Sequence, residues 1–356
     1  MKNHDWDFII LGQGLAGSLL AWNLIQRGKR VLVIDQPHKT SASQIAAGLI
    51  NPVTGKRLVK QNNADELLTT AEQEYNQLKK TFNSQFFYSK HITRLFQSEE
   101  NALAYNKRLA DLTYKNYIGE KFEPDTHPIL YNPLGGFKQY QTGYVNTLHL
   151  LSTLKKYFSE QQCYQETHIE YSQVQLNDQS ATINHQHTKQ LIFCEGYRTT
   201  TNPWFNWLTF KLAKGEILTL KSQAALPDTI INAGKWLLPT DTHTCKFGAT
   251  YQWDNLDETP TDNAKKELLT AANKLFKSDM TFSLVEHRAG IRPCTYDTMP
   301  YIGTHPNHHQ LGYFNGFGSK GSMLIPFYAK HFCENLLNKQ PLNTDIDITR
   351  QWKSNA

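Results

Sequence analysis

The stretch DFIILGQGLAG, residues 7–17, decides the fold. Asp7-Phe8-Ile9-Ile10-Leu11 is a short β-branched and apolar run, as a strand buried on both faces requires. Gly12, Gly14 and Gly17 follow at the spacing G-x-G-x-x-G, and Leu19, Leu20, Trp22 and Leu24 continue as a helical pattern up to Gly28. Arg30-Val31-Leu32-Val33-Ile34-Asp35 is a second buried strand, and it ends in an acid. Together these pieces make a complete βαβ unit. In such a unit Gly12 permits the tight turn, Gly14 lets backbone approach a pyrophosphate, and Gly17 lets the helix pack close to the strand. The helix N-terminus adds N–H donors and the positive end of its dipole. Asp35 stands where a carboxylate accepts from both ribose hydroxyls, which favours FAD or NAD over NADP.

Residues 8–25 carry no charge, but the glycines, Gln13 and Asn23 within them and the acids Asp5 and Asp7 before them fit neither a membrane span nor a secretory leader. The chain has 356 residues, 39% apolar and 12% aromatic, enough to fill the cores of one large or two ordinary domains. Lys and Arg number 37 against 32 Asp and Glu, and the basic residues are scattered as pairs such as Lys79-Lys80 and Lys155-Lys156. No strip of the kind that tracks a nucleic-acid backbone is evident. Five cysteines without a C-x-x-C spacing fit a reducing, cytoplasmic setting better than a disulfide framework.

Further along, residues 64–82, 98–112, 145–158 and 265–276 read as helices, and 325–337 as a last one. Short strands are expected around 164–169, 173–176 and 181–185, with a buried strand at 191–194 and several strands over 211–251. Glu120 to Thr142, rich in Pro, Gly and aromatics, reads as irregular. Strands interrupting an α/β beginning and an α/β-like ending imply an α/β (α+β overall) chain. Its Rossmann-like domain has a parallel sheet and is interleaved with an antiparallel-sheet substrate domain. The expected division is 1–60, 145–200 and 288–356 for nucleotide binding, and 61–144 and 201–287 for the substrate.

The fingerprint, the turn Ala46-Ala47-Gly48-Leu49, the strand start Lys214-Gly215-Glu216 and the strand Gly248-Ala249-Thr250-Tyr251 resemble the FAD-dependent D-amino-acid oxidase superfamily. So does the tail Arg288-Ala289-Gly290-Ile291-Arg292-Pro293, with Asp297 and Pro300-Tyr301-Ile302-Gly303. The resemblance covers nearly the full chain in order, and is closest to the glycine oxidase branch. A second similar branch is the oxidase domain of the bifunctional enzyme that matures 5-methylaminomethyl-2-thiouridine in tRNA. Gly135-Gly136-Phe137, Gly248-Ala249-Thr250-Tyr251 and Gly318-Ser319-Lys320-Gly321 look more like that branch. Both substrates present a free or N-substituted glycine unit.

The resemblance implies FAD as cofactor. Leu15 and Ala16 would meet its pyrophosphate, and Asp35 and Gln36 its ribose and adenine. Ala42, Ser43, Ala47, Gly48 and Leu49 would line the ribityl chain and ring, Ile169 would make a backbone contact to adenine, and Gly196 would line the same cofactor. Phe317, Gly318, Ser319, Lys320, Gly321, Ser322 and Met323 would wrap the isoalloxazine. The helix start there can stabilise negative charge at the pyrimidine edge. Arg292 would bind the substrate carboxylate through a bidentate guanidinium, and Ser319 would offer its carbonyl to the substrate amine. Tyr251 would stand on the substrate-cavity wall. Trp236 occupies a place where both branches tend to have tyrosine, a departure that tells against a simple glycine-sized substrate. Gly290 takes the place of the flavin-linked cysteine of the sarcosine-oxidase branch, which implies noncovalent FAD.

The implied reaction is oxidation of a C–N bond by hydride transfer to flavin N5. The alternatives are the same chemistry on carboxymethylaminomethyl uridine in tRNA, and a non-catalytic flavin-binding protein. Partners would be a small amine or amino acid, with tRNA possible and no membrane. Residues 50–57 form an insertion relative to glycine oxidase, and its Lys56 and Arg57 could greet a phosphate or an acidic substrate. His185 and His187 alternate on one expected strand face, and His305, His308 and His309 cluster, but no third ligand makes a metal site expected.

Overall fold

The computed structural model describes residues 5–36, 40–277 and 280–352. Two compact units share the chain. One takes Met1–Ala46, Thr147–Ala213 and Ile291–Ala356, the other Ala47–Asn146 and Lys214–Gly290.

The first unit is built on a parallel core. Strands Asp5–Leu11 and Val31–Asp35 pair in register, Phe8 opposite Val31 and Leu11 opposite Ile34. On its other edge Asp5–Leu11 pairs with Gln186–Phe193, which pairs in turn with Leu311–Asn315, while Tyr164–Glu166 extends the far side beyond Val31–Asp35. All of these pairs are parallel, and the side chains of Ile9, Ile10, Val33, Leu191 and Ile192 at their centre are buried. The helix Leu15–Gln26 is apolar nearly all round and buries Leu19, Leu20, Trp22 and Leu24. It lies among the helices Thr147–Glu160 and Gly321–Asn338, and Trp22 meets Tyr157 edge-on at 5.6 Å.

The sheet is more mixed than expected. Val174–Leu176 and Ala181–Ile183 add an antiparallel hairpin beside Gln186–Phe193, and Tyr301–Thr304 runs antiparallel to Leu311–Asn315. The pairing of His185 with His187 on one strand face is corrected here. Asn184 and His185 have φ of 47° and 62° and form the turn of the hairpin. Only His187 is on the strand, its Nδ1 2.9 Å from Thr182 Oγ1.

The second unit holds an eight-stranded sheet in the order Phe282–Arg292, Ala213–Ser222, Thr244–Gly248, Lys235–Pro239, Ile230–Ala233, Ile92–Leu95, Gly136–Gln139 and Ile118–Phe122. It is not purely antiparallel: Ile230–Asn232 runs parallel to Ile92–Arg94, two segments far apart in sequence that no hairpin joins. A small sheet joins Leu49–Ile50, Gly143–Val145 and Phe87–Ser89. The helix Ala64–Phe82 has the expected bounds and buries Leu67, Ala71, Tyr75 and Leu78, with Asp65 and Glu66 in its first turn and Lys79 and Lys80 in its last. In the first unit, the helix expected from residue 145 starts at Thr147. Val145 itself ends a strand of the second unit.

Candidate cofactor and active site

The glycine-rich turn of the first unit is held by contacts that no side chain would survive. Gly12 has φ of 103°, and a Cβ there would lie 2.5 Å from the Cys194 carbonyl oxygen. A Cβ on Gly17 would lie 1.9 Å from the Gly12 oxygen. Gly14 differs: its φ of −70° suits any residue, and a Cβ would meet only Ser43 Oγ, at 3.3 Å. Nothing within the folded chain requires glycine at this position, which leaves close approach by a ligand as its physical use. The cradle therefore fits a dinucleotide.

Around the turn, Asp35 Oδ1 accepts from the Gln13 backbone N–H at 3.0 Å. The Gln13 side chain donates to Ser18 Oγ and the Leu151 carbonyl, both at 3.0 Å, and pins the turn from beneath. Ser43 is grouped by sequence with residues of the ribityl chain. Here its Oγ accepts the Leu15 N–H at 3.0 Å, at the helix N-terminus with Leu15 and Ala16. Ala42 belongs to the same short helix, Ala42–Ile45, capped by Ser41. Gln36 Oε1 lies 2.6 Å from His168 Nδ1, so the segment carrying Ile169 sits beside the end of the Asp35 strand. His168 had no signal in the sequence.

A second group forms where strand Leu311–Asn315 ends. Asn315 donates to the Gly196 carbonyl at 2.8 Å and accepts the Gly316 N–H at 2.8 Å. Gly318, with φ of 53°, donates its N–H to the Pro293 carbonyl at 3.2 Å. This bond sets the turn of Phe317, Gly318 and Ser319 against the residue following Arg292, which is half-buried at the end of its strand. Ser319 is exposed, and Lys320 precedes the helix that begins Gly321, Ser322, Met323. Burial moves the Lys320 amine below its ordinary range. The backbone next to Arg292 and the backbone next to Ser319 are thus hydrogen-bonded within one unit.

In the second unit, Leu49, Tyr144 and Trp236 pack on a cluster of Ala47, Ile92, Ile230 and Leu238. Gly48 has φ of 71°, and a Cβ there would lie 1.9 Å from the Val145 carbonyl oxygen, so the turn is locked to the neighbouring strand. Trp236 lies across Gly248, where a Cβ would come within 3.2 Å of the indole. Tyr144 stacks on Tyr88 at 4.9 Å. Neither tyrosine was a candidate in the sequence, because both lie outside any readable motif. Tyr251 is outside this cluster, 46% exposed and edge-on to Trp253 at 5.2 Å. The 50–57 insertion forms a hairpin, Val53–Thr54 with Val59–Lys60. The carbonyls of Gly55, Lys56 and Arg57 accept from Arg94, Asn101 and Arg108, leaving the Lys56 and Arg57 side chains exposed.

None of the five cysteines is in a disulfide, and Cys294 lies behind the turn at Gly318, its Sγ 3.3 Å from where a Gly318 Cβ would stand. Among the described residues no cluster of His, Cys, Asp or Glu could hold a metal, and no helix is long and apolar enough to cross a membrane.

Residues 7–335 match the DAO family, described as FAD dependent oxidoreductase. The chain belongs to this family. It is therefore an FAD-dependent oxidoreductase, with the mixed α/β fold of that family. It is similar to glycine oxidase of Pseudomonas aeruginosa, 28% identical over 130 residues; the match spans 36% of each chain, about a third of that relative's length. It is also 24% identical over 351 residues to the tRNA 5-methylaminomethyl-2-thiouridine biosynthesis bifunctional protein MnmC of Acinetobacter baylyi, covering 93% of this chain and 53% of the relative. The crystal structure of glycine oxidase from Geobacillus kaustophilus superposes with a TM-score of 0.81 at 18% identity, covering 99% of each chain.

Proposed function

We propose that this oxidoreductase oxidises the C–N bond of an amino acid or N-substituted glycine, as a glycine-oxidase-like enzyme. The observation that carries the reading is the Gly318–Pro293 hydrogen bond of 3.2 Å, which ties the strand end bearing Arg292 to the turn bearing Ser319. Arg292 fixes the substrate carboxylate with two parallel N–H donors, so that the α-carbon is oriented by a planar, permanently charged group. The Ser319 carbonyl accepts from the substrate amine. Bound FAD, held without a covalent link, supplies the hydride acceptor. No acid–base pair is called for in this scheme, because alignment of the Cα–H is the main task of the protein. Five free thiols support a reducing, cytoplasmic compartment.

Anaerobic addition of glycine, N-methylglycine or D-alanine to the yellow protein tests this reading. Loss of the flavin absorption in the wild type, and its persistence in Arg292→Ala with FAD still bound, is the expected result. Bleaching that survives Arg292→Ala would remove the assigned role. A second reading, oxidation of carboxymethylaminomethyl uridine in tRNA, is favoured by the match to MnmC over nearly the whole chain. It requires tRNA binding that weakens steeply with salt. A flavin that no amine reduces would point instead to a non-catalytic flavoprotein.

A further inference from the structure

Glu195 stands at the end of the central strand Gln186–Phe193, beside the glycine-rich turn. Cys194 donates its N–H to the Leu11 carbonyl at 2.8 Å, and a Cβ on Gly12 would lie 3.6 Å from the Glu195 Cα. Its carboxylate is not solvated freely: Oε1 accepts from the Tyr171 hydroxyl at 3.0 Å and Oε2 from Asn202 Nδ2 at 3.0 Å. Asn202 is fully buried, and its own Oδ1 accepts the Trp204 N–H at 3.0 Å, which fixes the amide as a donor toward Glu195. Glu195 thus precedes the short helical turn Gly196–Thr201, and its carboxylate holds Asn202, the residue that follows the turn. The first carbonyl of that turn, on Gly196, is the acceptor for Asn315, which also holds the Gly316 N–H at the start of the flavin-side loop.

We propose that Glu195 is a positioning residue for FAD, fixing through Gly196 and Asn315 the loop that carries Phe317 to Lys320 and setting the local charge beside the pyrophosphate turn. Burial pushes its carboxyl up to about 7, opposed by the hydrogen bonds from Asn202 and Tyr171 and by the Arg198 charge. The other ionisable groups facing it are the Cys194 thiol and the Tyr313 phenol, both raised by their own burial and by the Glu195 charge, and both neutral near pH 7. Protonation need not loosen the turn. The carboxylic acid keeps two hydrogen bonds if the Tyr171 hydroxyl inverts to accept, and the second oxygen still accepts from Asn202. What changes is one negative charge near the site of an anionic ligand. A unit charge acting over about 10 Å in an effective dielectric near 20 alters affinity on the order of tenfold.

The test is titration of FAD into flavin-free protein between pH 6 and 8.5, following quenching of flavin fluorescence. The wild type is expected to lose about tenfold in affinity across that range. Glu195→Gln is expected to bind with little dependence on pH, and Glu195→Ala, which frees the turn, to bind more weakly at every pH. Should Glu195→Ala fail to fold, Glu195→Gln decides alone. A wild type without pH dependence, or a Glu195→Gln protein that keeps the full dependence, overturns the proposal.

Discussion

Replacing Gly14 and Gly17 by alanine separates ligand recognition from folding at the fingerprint. At Gly14 the backbone angles of −70° and −178° are ordinary for alanine, and the new methyl meets only Ser43 Oγ at 3.3 Å, a contact that a small shift relieves without breaking the bond from the Leu15 N–H. Stability should hold, or rise by about 0.4–1 kcal/mol through the less flexible unfolded chain. FAD binding should not. A methyl where the pyrophosphate must approach the backbone displaces it by about an ångström and removes roughly two charge-assisted hydrogen bonds. At about 1.5–3 kcal/mol each, the loss is about 10²–10⁴-fold in affinity. At Gly17 the methyl would sit 1.9 Å from the Gly12 oxygen, so helix or turn must shift by more than an ångström. That overpacking should cost about 3 kcal/mol or more in stability as well as the cofactor. The assays are the thermal midpoint followed by circular dichroism, and FAD titration by flavin fluorescence. A Gly14→Ala protein that binds FAD like the wild type would refute the role given to its open face.

Asp35→Asn keeps an acceptor for the Gln13 N–H, now 3.0 Å from Oδ1, but removes the charge; FAD affinity by titration should fall about tenfold. Arg292→Lys retains a cation and loses the planar fork, so substrate-driven flavin reduction should weaken about 10–100-fold while FAD content stays constant. His305 is buried, its Nδ1 accepts from the Asn307 and His308 N–H groups at 3.1 Å, and burial, with the His308 charge adding, pushes its imidazole down to about 4. The unfolded chain protonates near pH 6.5 and the folded chain does not, so stability is present above 6.5 and is lost as pH falls toward 4, by about 3 kcal/mol. Urea unfolding at pH 7 and pH 4.5 should show that loss reduced in His305→Gln. Asp257→Ala removes the partner 2.6 Å from the buried Lys214 amine, which keeps the Thr259 carbonyl, and should lower the urea midpoint in the same assay.

The βαβ unit was legible because its signals are local. Buried strands write themselves as continuous apolar runs, and a turn that tolerates no Cβ writes itself as glycine. The helix over 64–82 was equally plain, since its buried residues repeat at helical spacing. Direction in the second sheet was not legible. Ile92–Leu95 and Ile230–Ala233 meet from distant parts of the chain, and nothing in either run encodes that they lie parallel. His185 was misread because alternation continues across a hairpin turn, where only backbone angles distinguish turn from strand. At the site, the glycines and Arg292 carry motifs, whereas Ser43 at the helix start, the His168–Gln36 bond and the Tyr88–Tyr144 stack depend on tertiary approach.

The most direct measurement is the visible absorption spectrum of the purified, FAD-loaded protein, followed anaerobically while glycine, N-methylglycine, D-alanine and carboxymethylaminomethyl uridine are added in turn. The flavin band is expected to bleach with at least one of these carboxylate-bearing amines, and to stay when Arg292→Ala replaces the wild type. A flavin band that none of them reduces would contradict the assignment of amine oxidation to this site.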